Sequence, residues 1–358
     1  MPVLALYEHA LRRRYAYDSR ADQIHRVECS DGVRLSLKRF LPRPGAPRRN
    51  LPVICVPGLG ADSHNFDAPG PWGLAPAFAE QGYDTWVVDL RGTGLSRVPS
   101  GRWRDIHFDD FVCHDLPAVE EHVCRTTGAE EMLWIGHSMG GMALYASLAS
   151  GRGRRMRAAI TLGSPVGFPQ GWDCVPVFRR VHFLADHIPG LHVRRALRLL
   201  TPLCLTSRDI ASQNWAVREN VDVALCRKLL YAAVQDVPRG LALQFRDWIH
   251  NDAFRSVDLS VDYRARMAGA RTPVLVVCGP EDRLGVPGSV ARARDLLPNH
   301  EWLELSRAEG FSTDYGHIDM VFGRRAPEEV FPRFFEFLAR HDESEAAWRA
   351  ARRFRVVS

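Results

Sequence analysis

The stretch MLWIGHSMGGMALYASLAS, Met132 to Ser150, decides how this chain folds. Its first five residues form an apolar run with the character of a buried strand, its last ten an alanine-rich run with the character of a helix, and HSMG joins the two with almost no loop. A residue on so abrupt a strand-to-helix turn takes strained backbone angles, and Gly136 and Gly140 leave room for the strand and helix to cross. Ser138 then stands over the carboxyl end of a sheet. The backbone N–H of Met139 opens the helix, where a developing negative charge is favoured. G-x-S-x-G alone is common by chance, but between a buried strand and a helix it predicts a nucleophilic serine.

Outward from this turn, short apolar runs alternate with amphipathic ones. Strands are predicted at His25 to Cys29, Arg34 to Phe40, Pro52 to Val56, Thr85 to Asp89, Met132 to Ile135, Ala159 to Leu162, Pro273 to Cys278 and Glu301 to Leu305. The first two, split by Ser30-Asp31-Gly32, predict an antiparallel edge hairpin, and the others predict buried parallel strands. Helices are predicted at Leu74 to Gln81, Asp109 to Arg125, Met139 to Ser150, Ser289 to Leu297 and Pro327 to Arg340, those between strands making right-handed crossovers. From 165 to 271 the pattern holds helices and no strand, including the apolar residues Val177, Phe178, Phe183, Leu184, Leu229, Leu230 and Trp248. That stretch predicts a helical cap inserted between two core strands. The expected organisation is therefore a helical extension at 1–23, a core at 24–164 and 272–345, the cap at 165–271, and a basic tail at 346–358.

Composition narrows the class. With 358 residues, 46% hydrophobic and 25% charged, the chain carries ample material for a core with one large insertion. The net charge of +5 is modest and almost wholly arginine, Lys38 and Lys228 being the two lysines, a bias expected of a GC-rich bacterial genome. The clusters Arg12 to Arg14, Arg152 to Arg157 and Arg352 to Arg355 read as solvated faces, since none is extended enough, or carries enough aromatics, to resemble a nucleic-acid platform. The eight cysteines, Cys174 among them, lack metal-ligand spacing, so no metal is expected, and they suit a reducing compartment. No signal peptide and no apolar run of roughly 18 residues is seen, so the expectation is a soluble, cytoplasmic protein without a membrane span.

A serine nucleophile needs a base, and the base an orienting carboxylate. The strand Pro273 to Cys278 runs into GPEDR, which offers Asp282, and the loop after the last strand holds DYGHID, which offers His317. Glu281, Asp314 and Asp319 compete for the acid role. Asp282 is preferred because a carboxylate just beyond a strand end reaches the cleft floor, whereas Asp319 suits a cap of the next segment. The order serine, acid, histidine is that of a known strand-turn-helix hydrolase arrangement. The loop PGLG, Pro57 to Gly60, offers the Leu59 N–H as a second oxyanion donor beside Met139. His64, Asn65 and Phe66 after that loop, and His137 before the nucleophile, are candidate pocket residues.

With PGLG, DLRGTGLS (Asp89 to Ser96), GHSMG, GPEDR and YGHID in one order, the chain resembles the α/β-hydrolase family over about Val27 to Ser164 and Thr272 to Arg340. The resemblance implies a mostly parallel eight-stranded sheet flanked by helices. It also implies the triad Ser138, Asp282 and His317, the oxyanion donors Leu59 and Met139, and a bracing role for Arg91, Gly92 and Gly94. The chain departs from the family in having Pro57 where a histidine usually precedes the oxyanion glycine. The expected activity is hydrolysis of a small lipophilic carboxylic ester, thioester or lactone, without cofactor. An acyltransferase or carbon–carbon hydrolase using the same triad is the alternative, and a non-catalytic binding member the more distant one.

Overall fold

A computed structural model describes residues 3–168, 190–204 and 216–343. Among them the strands, in chain order, are β1 (Gln23–Glu28), β2 (Arg34–Phe40), β3 (Val53–Val56), β4 (Thr85–Asp89), β5 (Met132–His137), β6 (Met156–Leu162), β7 (Gly190–Leu191), β8 (Val237–Pro238), β9 (Val274–Cys278) and β10 (His300–Glu304). Eight form one sheet in the order β1-β2-β4-β3-β5-β6-β9-β10. The β1–β2 hairpin is antiparallel, as is the pairing of β2 with β4, and every remaining pairing in this sheet is parallel.

The apolar character of β3, β4, β5 and β9 follows from their place, because every residue in each is buried. Parallel strands are covered on both faces and so carry continuous rather than alternating hydrophobicity. The pleat sorts their side chains. Ile54, Val56 and Trp134 enter one core with Trp86, Val119, Val123 and Tyr145, under the helices Leu116–Thr127 and Met139–Ala149. Val53, Cys55, Leu133 and Ile135 enter the other with Phe78, Phe331, Phe334 and Phe337, under the helices Leu74–Glu80 and Phe331–Arg340. Phe331, Phe334 and Phe337 of the last helix recur at helical spacing, and burying each ring stabilises the fold by roughly 1.5–3 kcal/mol.

Two predicted helices are interrupted. The first is a short turn Phe108–Asp110, a widened turn Phe111–Asp115 and then Leu116–Thr127; Pro117 cannot donate to the preceding turn. The second divides into Ala326–Glu329 and Phe331–Arg340, with Pro332 in the first turn of the latter. β7 and β8 form a two-residue antiparallel pair where no strand was expected, a ladder too short to leave a periodic signature.

Between β6 and β9 lie the helices Arg194–Leu200, Val223–Ala233, Arg239–His250 and Tyr263–Arg266. Leu241, Phe245 and Trp248 of the third join the core that holds Phe108 and Phe111, and the Trp248 indole donates to the Arg255 carbonyl at 2.8 Å. The helix Val3–Tyr15 packs Leu11 and Tyr15 against Tyr231. Val177, Phe178, Phe183, Leu184, Cys174 and the tail 346–358 lie outside the described residues. No helix among the described residues is long and apolar enough to cross a membrane.

Candidate active site

Ser138 follows β5 directly and has φ 53° and ψ −118°. A non-glycine residue held at such angles costs about 1–3 kcal/mol, which the surroundings must offset. They do so from both sides. The Ser138 N–H donates to the Leu162 carbonyl of β6 at 2.7 Å, and its carbonyl accepts from Gly141 and Met142 at 3.0 and 3.2 Å, so the helix starts at once. A Cβ on Gly136 would overlap the Gly140–Gly141 backbone, and one on Gly140 would overlap the Val56 carbonyl. Space, not φ, demands both glycines.

The loop after β3 lies against this turn, since a Cβ on Gly58 would stand 3.2 Å from the Ser138 Cβ. Leu59 is half-buried and packs against the core. Met139, the first residue of the following helix, is buried, so its N–H lies at a helix amino terminus beside Ser138.

Asp282, beyond β9, accepts the N–H groups of Leu284 and Gly285 on Oδ1, both at 2.8 Å, and its Oδ2 accepts from His317 Nδ1 at 2.8 Å. Both side chains are buried. Gly163 at the end of β6 has φ 56° and packs on this pair: a Cβ there would stand 2.6 Å from Asp282 Oδ2 and 3.1 Å from His317 Nδ1. The adjacent residues Leu162 and Gly163 thus touch all three groups, Leu162 through the Ser138 N–H and Gly163 through the Asp282–His317 pair. With Nδ1 committed to the carboxylate, His317 presents Nε2 for a proton.

The other carboxylates are engaged elsewhere. Glu281 faces Arg283 at 4.0 Å on the surface, and Asp314 accepts the Arg307 N–H at 2.9 Å. Asp319 is fully buried and accepts from Gly316 N at 3.0 Å, Asn220 Nδ2 at 2.9 Å and Val217 N at 3.3 Å. Burial pushes its carboxyl up to about 6. The four expected pocket residues separate. His64 pairs with Asp62 at 2.8 Å and Phe66 is wholly inside the core. Asn65 and His137 face each other in the interior, Oδ1 to Nδ1 at 3.0 Å.

DLRGTGLS braces these loops. Asp89 accepts from Ser63 N at 2.8 Å and Leu95 N at 2.9 Å, and a Cβ on Gly94, at φ 51°, would overlap its carboxylate. The buried Arg91 guanidinium joins Asp115 at 2.7 Å and Asp31 at 2.8 Å.

The segment between β6 and β9 is fastened to both sides of the site. Gln235 N donates to the Gly60 carbonyl at 2.8 Å and Gln235 Nε2 to Asp62 at 2.7 Å, while Asp319 holds Asn220 and Val217 beside the His317 loop. Sequence reasoning missed Gly163, Gln235 and the Asp319–Asn220 contact. A glycine ending a predicted strand was the one available signal, for Gly163; the other partners are too distant in sequence to announce each other.

Residues 52–182 match the family model described as the alpha/beta hydrolase fold. The chain is 31% identical to Lipase lipl-1 of Caenorhabditis elegans over 360 residues, covering 86% of each protein. It is 22% identical to Lipase member N of Mus musculus over 373 residues, covering 90% of this chain and 88% of that protein. In fold it is similar to a thermophilic esterase from Thermogutta terrifontis, with a TM-score of 0.59 at 18% identity, over 90% of this chain and all of that one.

Proposed function

Because the chain belongs to the α/β-hydrolase family, we propose that it cleaves a carboxylic ester, thioester or lactone of a lipophilic molecule, with Ser138 as nucleophile, His317 as base and Asp282 as orienting acid. The chain is a hydrolase of lipase and esterase type. The observation that best supports the residue assignment is the convergence of Ser138, Asp282 and His317 on Leu162 and Gly163.

In this reading the Ser138 hydroxyl attacks the carbonyl carbon while His317 Nε2 takes its proton, and Asp282 stabilises the imidazolium. The N–H groups of Leu59 and Met139 receive the oxyanion, aided by the amino terminus of the helix Met139–Ala149. Collapse expels the alcohol or thiol with a proton from His317. Water, activated by the same imidazole, then releases the acid from the acyl-serine. The helices between β6 and β9 act as a cap. Their attachment to the Gly60–Asp62 loop and to the His317 loop supports this, and apolar helices over a cleft favour a lipophilic substrate.

The test is turnover of p-nitrophenyl esters from acetyl to palmitoyl and of matching acyl thioesters, with and without an added alcohol acceptor. The expected result is turnover that rises with acyl length, with water as the main acceptor. Predominant transfer to the alcohol would convert the reading to acyltransferase, and lack of turnover on every ester and thioester would refute it.

A further inference from the structure

We propose that His137 and Asn65 are positioning residues of this reaction, a buried relay in which Asn65 sets the His137 ring and His137 holds the backbone of His317 beside the nucleophile. The inference rests on the reading of His317 as the base. His137 is 4% exposed and Asn65 5% exposed. The Asn65 amide stands 3.3 Å from Gly58 N and 3.0 Å from His137 Nδ1, and His137 Nε2 donates to the His317 carbonyl at 3.1 Å. The two imidazole centroids are 4.8 Å apart. Asn65 therefore lies between the Gly58–Leu59 loop and His137, and His137, the side chain adjacent to Ser138, holds the residue that carries the base.

Proton accounting sharpens the picture. A carbonyl only accepts, so His137 Nε2 carries a proton toward His317. Burial, and then the neighbouring His317, push the ionisation of His137 down to about 3, so the ring stays neutral and Nδ1 offers a lone pair. His317 is the titratable group that faces this ring, with Asp282 beyond it. Nδ1 therefore calls for a donor. The Asn65 amide nitrogen, which is buried and has no partner among the described residues, supplies one after a half-turn of the amide. In one orientation the amide accepts from Gly58 N–H and in the other it donates to His137 Nδ1, so one of these two links is made at a time, while His137 Nε2 keeps its hold on the His317 carbonyl in both.

The consequence for catalysis is geometric. Asp282 holds the His317 ring by its Nδ1 edge, and His137 holds the same residue by its main chain. Loss of the second hold lets Nε2 drift from Ser138, and a displacement of about 1 Å at such a site costs on the order of a hundredfold in rate.

The test uses His137→Phe, His137→Gln and Asn65→Asp in the full chain. It reads kcat and KM on a p-nitrophenyl ester, the rate of fluorophosphonate labelling, and the thermal unfolding midpoint. His137→Phe should lower kcat on the order of a hundredfold with KM nearly unchanged, and slow labelling in proportion. His137→Gln, whose amide can donate to the His317 carbonyl, should regain about tenfold of that loss. Asn65→Asp should favour a doubly protonated His137 and add an ionisation to the acid limb of the kcat/KM profile, with activity falling below it. A merely structural role would leave that profile unchanged in shape. The relay is overturned if His137→Phe keeps kcat within about threefold of wild type, or, where that variant does not fold, if the Asn65→Asp profile superimposes on the wild-type one. Equal labelling of wild type and Ser138→Ala would instead overturn the reading of the site on which the relay rests, and the relay with it.

Discussion

At the Ser138 turn the chain is held by contact: Gly136 and Gly140 admit no Cβ, and strand, turn and helix meet backbone to backbone. The His317 loop is held by hydrogen bonds to two buried carboxylates, Asp282 accepting from the imidazole and Asp319 from Gly316, the latter accepting also from Asn220 and Val217. The first region is local and rigid by sterics, and it is indifferent to pH. The second is assembled from segments 35 to 102 residues apart and carries charge in its interior. A residue held at φ 53° needs the former, because close packing and the hydrogen bonds of its own N–H and carbonyl together offset the strain. The base proposed at His317 needs the latter, because electrostatics sets its tautomer and orientation.

The comparison breaks most readily at Gly140. Gly140→Ala sets a Cβ against the Val56 carbonyl, backbone that cannot turn aside, and should cost at least about 3 kcal/mol of stability with loss of activity. Denaturant unfolding measures it, and a cost under about 1 kcal/mol would show that sterics do not hold the turn.

A smaller effect is expected at Asp319, and it depends on pH. Its carboxyl ionises near 6 in the folded chain against 3.8 for the free group, mainly through burial, so the folded state binds the proton more tightly. This group therefore makes the protein more stable as pH falls from 7 to 4, and the gain disappears as pH rises through 6. Relative to Asp319→Asn, the wild type should gain about 2 kcal/mol over that interval. Parallel stability curves for the two proteins would contradict the assignment of a buried, costly charge to this latch.

The same contrast explains what could be read in the sequence. The Ser138 turn was legible because the glycines and the serine it needs fall within five residues of one another, and the sheet because strands buried on both faces write continuous apolar runs such as VLVVC in β9. Asp282 was legible as a carboxylate beyond a strand end. Gly163 was not singled out, because its requirement comes from Asp282 and His317, more than a hundred residues downstream. Gln235 and Asn220 left no trace either, since each meets its partner only after the chain has folded. Phe66 was expected at the pocket on sequence proximity to PGLG; the intervening turn at Ser63–Asn65 carries it into the core.

The central claim is that Ser138 is the nucleophile, and covalent labelling tests it most directly. After reaction with a fluorophosphonate, mass spectrometry of the wild-type chain should find a single adduct, on the peptide bearing Ser138, and none on Ser138→Ala. Equal labelling of the two proteins, or an adduct at another residue of the wild type, would contradict the account.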